Sequence, residues 1–115
     1  MLREHLLCFA QRIGLLVHAS NTVCEPEFYK MGWGKVVFHV ARILEFGEIG
    51  AADVMEKNLA IAAEEIGQAG VSVAAFCCTA GSFMKGLDYD TVIAGIIEKK
   101  ARTKAVTTST AVREA

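Results

Sequence analysis

The segment Phe76-Cys-Cys-Thr-Ala-Gly-Ser82 concentrates the side chains best suited to chemistry. An apolar run from Val71 to Cys77 leads straight into a loop of small and hydroxylated residues, with a cysteine at the junction. Backbone N–H groups of Thr79, Ala80, Gly81 and Ser82 can turn inward in such a loop and form an anion-binding nest. A nest there would favour a thiolate at Cys78 and could also receive a carboxylate. The thiolate could act as a base at a carbon beside a carboxylate, or as a nucleophile toward an activated double bond. The plainer alternative makes both cysteines small buried hydrophobes. Strand alternation separates the pair, sending one side chain toward a helix layer and the other toward the loop end. Cys77 is therefore the expected structural cysteine and Cys78 the expected reactive one.

A second cluster is Ser20-Asn-Thr-Val-Cys-Glu-Pro-Glu27. Asn21 can donate its amide to a carboxylate, and Thr22 can add a hydroxyl. The same residues also suit plain turn and N-cap chemistry. Cys24 is expected just outside such a pocket or packed beneath it. His18 and His39 could carry protons or bind a metal, but no second ligand stands at a recognisable spacing, and no metal site is expected. A Ser/His/Asp order, a phosphate-binding loop and a dinucleotide fingerprint are all missing from the sequence. Gly32-Trp-Gly34 reads as a turn.

The elements that must position these residues follow from changes in apolar period. Ile13 to Val17 is a short continuous apolar run, as expected of a strand buried on both faces. Lys35 to Ile43 and Val71 to Cys77 are further strands, and Ala105 to Thr107 is a short fourth. Met55, Leu59, Ala62, Ala63 and Ile66 recur at helical spacing from Asp53 onward, and Gly70 stops that helix before the third strand. Tyr89, Val92, Ile93, Ile96 and Ile97 form another helical stripe, with Asp88 and Asp90 at its start and Lys99, Lys100 and Arg102 at its end, which suits the helix dipole. A shorter helix begins near Glu25-Pro26, since proline is favoured in a first turn. Ser109 or Thr110 could cap a last helix, although barely one turn remains before Ala115.

Strands alternating with helices predict a three-layer α/β lobe, flavodoxin-like, with a mainly parallel four-stranded sheet truncated at its carboxyl end. Ligands in such sheets bind beyond the carboxyl ends of the strands, which selects the loops His18 to Glu25 and Cys78 to Gly86.

The whole chain sets the bounds. Its 115 residues fit one domain, and a hydrophobic fraction of 53% excludes a disordered or fibrous chain. Twelve Lys and Arg against thirteen Asp and Glu give a net charge of −1, so nothing points to nucleic acid or an anionic membrane. The apolar runs Leu6 to Ala10 and Ile13 to Val17 are far shorter than the roughly 20 residues of a membrane span. A cytoplasmic protein with reduced thiols is expected from the four cysteines, Cys8, Cys24, Cys77 and Cys78, because their spacing suits neither a redox pair nor zinc.

The segments Arg12-Ile-Gly-Leu-Leu-Val17, Ser20-Asn-Thr22 and Glu25-Pro-Glu-Phe-Tyr29 together resemble the opening of maleate cis–trans isomerases. Phe76-Cys-Cys-Thr-Ala-Gly-Ser-Phe-Met-Lys-Gly86 is similar to their first cysteine loop, and Thr107-Thr-Ser-Thr-Ala111 to the segment that follows. These enzymes belong to the aspartate/glutamate racemase superfamily, with arylmalonate decarboxylase as a relative. The resemblance spans residues 12–115.

It implies a protein of two similar α/β lobes, of which residues 1–115 would be the amino-terminal one, with the second lobe missing. Substrate would lie between the lobes, each supplying one cysteine, and no cofactor would be needed. By motif position Cys78 would add to a small carboxylic acid such as maleate, and Asn21, Thr79, Ala80 and Ser82 would hold its carboxylate. Decarboxylase relatives lack a cysteine at the first-lobe position, so Cys78 argues against that branch. Ala80 stands where serine is common, which removes a hydroxyl from the expected carboxylate pocket, and His18-Ala19 replaces a smaller or proline-containing approach to the asparagine. Two rivals stay open: a racemase of amino acids or hydantoins working by cysteine proton transfer, and a non-catalytic lobe that binds a small acid or a partner. The apolar face left by a missing half could also drive self-association into a homo-oligomer.

Overall fold

The computed structural model describes residues 11–44, 51–78, 86 and 88–115. Four strands, β1 (Gln11–His18), β2 (Val36–Ile43), β3 (Val73–Phe76) and β4 (Lys104–Thr107), form one sheet in the order β2-β1-β3-β4. Every pairing is parallel, with Leu15 opposite Val40 and Ala75, and Phe76 opposite Thr107. Consecutive parallel strands require crossovers, and helices make them: α1 (Cys24–Gly32), α2 (Ala51–Gln68) and α3 (Tyr89–Ala101), followed by α4 (Thr108–Glu114). The lobe is therefore the three-layer, flavodoxin-like arrangement expected, with a sheet that is wholly parallel among the described residues.

Two cores explain the apolar patterns. One face of the sheet, through Leu16, Ala41, Ile43, Ala74 and Phe76, packs against Met55, Leu59, Ala62, Ala63 and Ile66 of α2 and Ile93 and Ile97 of α3. The opposite face, through Leu15, Val17 and Phe38, packs against Cys24 and Phe28 of α1. Residues 15 to 17 are fully buried because adjacent side chains leave the strand on opposite sides and both sides are covered. Burying each such aliphatic side chain contributes roughly 1.5–3 kcal/mol.

Helix limits have local causes. The α2 helix ends where Gly70 adopts φ +66, a conformation that favours glycine. Gly67 permits close packing, since a Cβ there would stand 2.8 Å from the carbonyl oxygen of Ala101 at the end of α3. Val92 differs from its expected place in the α3 stripe: it is 48% exposed, and the buried set is Tyr89, Asp90, Ile93, Ile97 and Ala101. The cap of α4 also differs. Thr107, rather than Ser109 or Thr110, accepts the Thr110 N–H at 3.2 Å, because the last residue of β4 already has the extended backbone that a cap requires.

Candidate functional site at the carboxyl edge of the sheet

The loop after β1 is built from short-range hydrogen bonds. The Ser20 backbone N–H and hydroxyl both meet His18 Nδ1, at 3.2 Å and 2.8 Å. Asn21 Oδ1 then accepts the N–H groups of both Val23 and Cys24, each at 3.0 Å. Both acceptor positions of the amide are thereby engaged at the start of α1, and its NH2 group remains to donate. The turn chemistry and the ligand chemistry expected of Asn21 are thus compatible in a single side chain.

Arg42, near the end of β2 and opposite Val17, fastens this loop from outside. Its Nη1 donates to the carbonyl oxygens of His18 (3.3 Å), Ala19 (3.2 Å) and Asn21 (2.8 Å), while Nη2 pairs with Glu25 in the first turn of α1. Sequence reading missed this role, since the partners lie on another strand, a loop and a helix.

The neighbouring strand brings up the cysteines. The Cys77 N–H donates to the Leu16 carbonyl at 2.9 Å, which prolongs the β1–β3 ladder by one residue. Alternation divides the pair between the two faces of the sheet, but each side chain meets a helix layer, so Cys78 does not stand free at the loop end as expected. Cys77 packs with the α1-side core, and Cys78 packs, half-buried, against the α2/α3-side core. Thr79, Ala80 and Ser82 lie outside the described residues, as does the expected nest.

At the carboxyl edge of the sheet lies a cavity of about 430 Å³, bounded by Asn21, Cys24, Glu27 and Phe28 on one side, by Cys77, and by Thr107, Thr108 and Ala111 on the other. It joins Asn21 to Cys77 rather than to Cys78, and Cys24 forms part of its wall. The Cys77 thiol donates to the Ala75 carbonyl oxygen at 3.5 Å, and the Cys24 and Cys77 side chains interact with one another in the cavity wall. Burial pushes both thiols above their ordinary range, Cys77 the more strongly, with the neighbouring Cys24 adding to that rise. Glu27 is the only charged side chain in the cavity wall among the described residues.

The far wall is held by a hydroxyl chain. Thr107 Oγ1 donates to Thr110 Oγ1 at 2.9 Å, and Thr110 Oγ1 donates to Asp90 Oδ2 at 2.5 Å. Arg113 pairs with the same carboxylate oxygen. The Thr110 hydrogen bond and then Arg113 hold the Asp90 carboxyl below its ordinary range, against the opposing effect of burial. Thr108 Oγ1 donates to the Phe76 carbonyl at 3.0 Å, which ties the start of α4 to the end of β3 immediately before the cysteine pair. No three His, Cys, Asp or Glu side chains converge as metal ligands among the described residues. None of the described helices is long and apolar enough to cross a membrane.

A sheet wholly parallel among the described residues, with helices on both faces, defines the class: one flavodoxin-like α/β lobe. Particular solved structures share it. Maleate isomerase Iso from Pseudomonas putida S16 superposes with a TM-score of 0.80 at 20% identity, over 91% of this chain and 48% of its own. The same isomerase in a variant crystallised with maleate gives 0.77 at 20% identity, over 91% and 47%. Arylmalonate decarboxylase gives 0.73 at 19% identity, over 90% and 44%. The chain thus spans about half the length of these enzymes and has the fold of that half. No known family model and no curated protein sequence matches it.

Proposed function

We propose that the chain is the amino-terminal lobe of a maleate isomerase-like enzyme in which Cys78 acts on a small dicarboxylate without a cofactor. The observation that carries this reading is the placement of the two sequence motifs on neighbouring parallel strands. Asn21 follows β1 and Cys78 follows β3, at the same edge of the sheet, and β1 pairs directly with β3. The likeness to maleate isomerase supports it.

In the proposed reaction the Cys78 thiolate adds to one olefinic carbon of maleate, forming a C–S bond as the π bond becomes a carbanion conjugated with the far carboxylate. Rotation about the resulting C–C single bond and expulsion of the thiolate give fumarate, with no net change in protons. The Asn21 NH2 group and the backbone and side chains of Thr79, Ala80 and Ser82 would hold a carboxylate while charge develops.

The test is iodoacetamide labelling of this chain at neutral pH, with each cysteine assigned by mass spectrometry and proton NMR following maleate. Selective labelling of Cys78, suppressed by maleate and lost in Cys78→Ser, is the expected result. A second reading, a binding lobe without catalysis, draws on the packing of Cys78 against the α2/α3-side core. It requires Cys78 to stay unlabelled with or without maleate, an outcome that removes the catalytic proposal.

A further inference from the structure

The proposed reaction uses Cys78 and leaves two other thiols among the described residues without a role. Cys24 lies in the first turn of α1 and Cys77 just beyond β3. Both line the same cavity and pack in the same α1-side core, where their side chains interact. Neither their sequence spacing nor the resemblance pairs them; the crossover between β1 and α1 brings them together. Two interacting thiols on the wall of a cavity of about 430 Å³, with no described cation in that wall, are a site for reagents that bridge sulfurs.

We propose that Cys24 and Cys77 form a dithiol site that closes to a disulfide by exchange with small-molecule disulfides and is bridged by trivalent arsenicals. Exchange can begin at either thiol; beginning at Cys24, it runs in two displacements. The Cys24 thiolate attacks one sulfur of the small disulfide, the S–S bond breaks, and one small thiol leaves with a proton. The Cys77 thiolate then attacks the Cys24 sulfur of the mixed disulfide and releases the second small thiol. Two protein thiols are oxidised, and one small disulfide is reduced to two thiols. Closure must bring the sulfurs to about 2.05 Å.

The bond would tie the turn capped by Asn21 to the residue beside Cys78. Loss of Cys78 reactivity on closure is therefore expected. That consequence rests on the reading of Cys78 as the reacting thiol, whereas the disulfide itself does not.

The experiment incubates the reduced chain with oxidised glutathione, quenches with acid, and maps linked peptides by mass spectrometry. The expected product is a Cys24–Cys77 link, reversed by dithiothreitol and absent in Cys24→Ser. Phenylarsine oxide supplies a second measurement that needs no variant: one equivalent should slow iodoacetamide labelling of Cys24 and Cys77 together at least about tenfold and spare Cys78. A predominant Cys77–Cys78 link, glutathione left unresolved on Cys24 or Cys77, or arsenical protection of Cys78 in place of Cys24 each overturns the proposal. Maleate protection of Cys78 is measured in the same samples. Its failure alongside an intact Cys24–Cys77 link counts against the isomerase reading and leaves the dithiol site standing.

Discussion

Replacing Arg42 by methionine keeps the aliphatic stem and removes the guanidinium. Nη1 carries two hydrogens and faces three carbonyl oxygens, of which Asn21 at 2.8 Å is the shortest contact and His18 at 3.3 Å the longest. About two full hydrogen bonds are therefore lost, together with the ion pair to Glu25. Hydrogen bonds to a charged group contribute roughly 1.5–3 kcal/mol each when shielded. Arg42 is 40% exposed, so water replaces much of that, and an ion pair in this setting contributes about 0–1 kcal/mol. The expected net loss is about 1–2 kcal/mol, or roughly 5–10 °C in melting temperature for a domain of this size.

The location of the loss distinguishes a positioning role from a general one. The Val23 and Cys24 N–H groups are bonded to Asn21 Oδ1, and Asn21 keeps its place through the carbonyl that Arg42 holds. Amide exchange by NMR should therefore quicken at Val23 and Cys24 by about tenfold in Arg42→Met, the equivalent of about 1.4 kcal/mol. The Leu15 and Leu16 amides in the strand core should keep their protection. Arg42→Lys should fall between, since an ammonium can pair with Glu25 but cannot span the three carbonyls. Unchanged exchange at Val23 and Cys24, with a melting temperature within a degree or two of the parent chain, would refute the idea that Arg42 sets the geometry of the asparagine loop.

Further substitutions separate the remaining roles. Asn21→Asp keeps the acceptor that caps α1 and removes the NH2 donor, so stability should hold within about 0.5 kcal/mol while maleate protection of Cys78 weakens at least tenfold; parallel losses of both would place Asn21 in the turn alone. Gly67→Ala puts a Cβ 2.8 Å from the Ala101 carbonyl oxygen, and the clash with backbone should outweigh the roughly 1 kcal/mol gain in helix propensity, leaving a net loss of about 1–2 kcal/mol in urea titration. Equal or greater stability would show that α3 moves aside freely. Because the Asp90 carboxyl is held below its ordinary value, its stabilising contribution is present above the unfolded carboxyl range near pH 4 and disappears as pH falls through the depressed folded value. Asp90→Asn should therefore be less stable than the parent chain at neutral pH and converge with it toward about pH 2; a gap that persists unchanged in acid contradicts this assignment.

Much of the fold was legible because it rests on period. The runs at Ile13 to Val17 and Lys35 to Ile43, and the stripe from Met55 to Ile66, record burial directly, and burial is what the architecture requires. Boundaries were less legible where one residue serves two elements. Thr107 ends β4 and caps α4, and Cys77 bonds into the ladder although β3 ends at Phe76. Asn21 could be singled out because its amide suits either role, and its Oδ1 holds the turn before α1 while the NH2 group stays available. Arg42, Asp90 and the Cys24–Cys77 contact were illegible as partners. Each pairing crosses between elements that meet only after the crossovers form, and no local spacing encodes it.

The charge pattern of the carboxyl edge divides it into two environments. The cavity between α1 and α4 is walled by thiols, hydroxyls, apolar groups and Glu27. A carboxylate held about 8 Å from Glu27 at an effective dielectric of about 40 would meet a repulsion on the order of 1 kcal/mol, with no described cation in the wall to offset it. The nearest guanidinium, Arg42, faces loop carbonyls and Glu25. On the proposed reading, an acid at this edge would meet a neutral donor, the Asn21 NH2 group. Neutral thiols, held protonated by burial, suit the cavity itself. An anionic substrate and a thiol-bridging reagent would thus use adjacent parts of the same edge, and maleate should compete with iodoacetamide at Cys78 while leaving phenylarsine oxide capture at Cys24 and Cys77 unaffected.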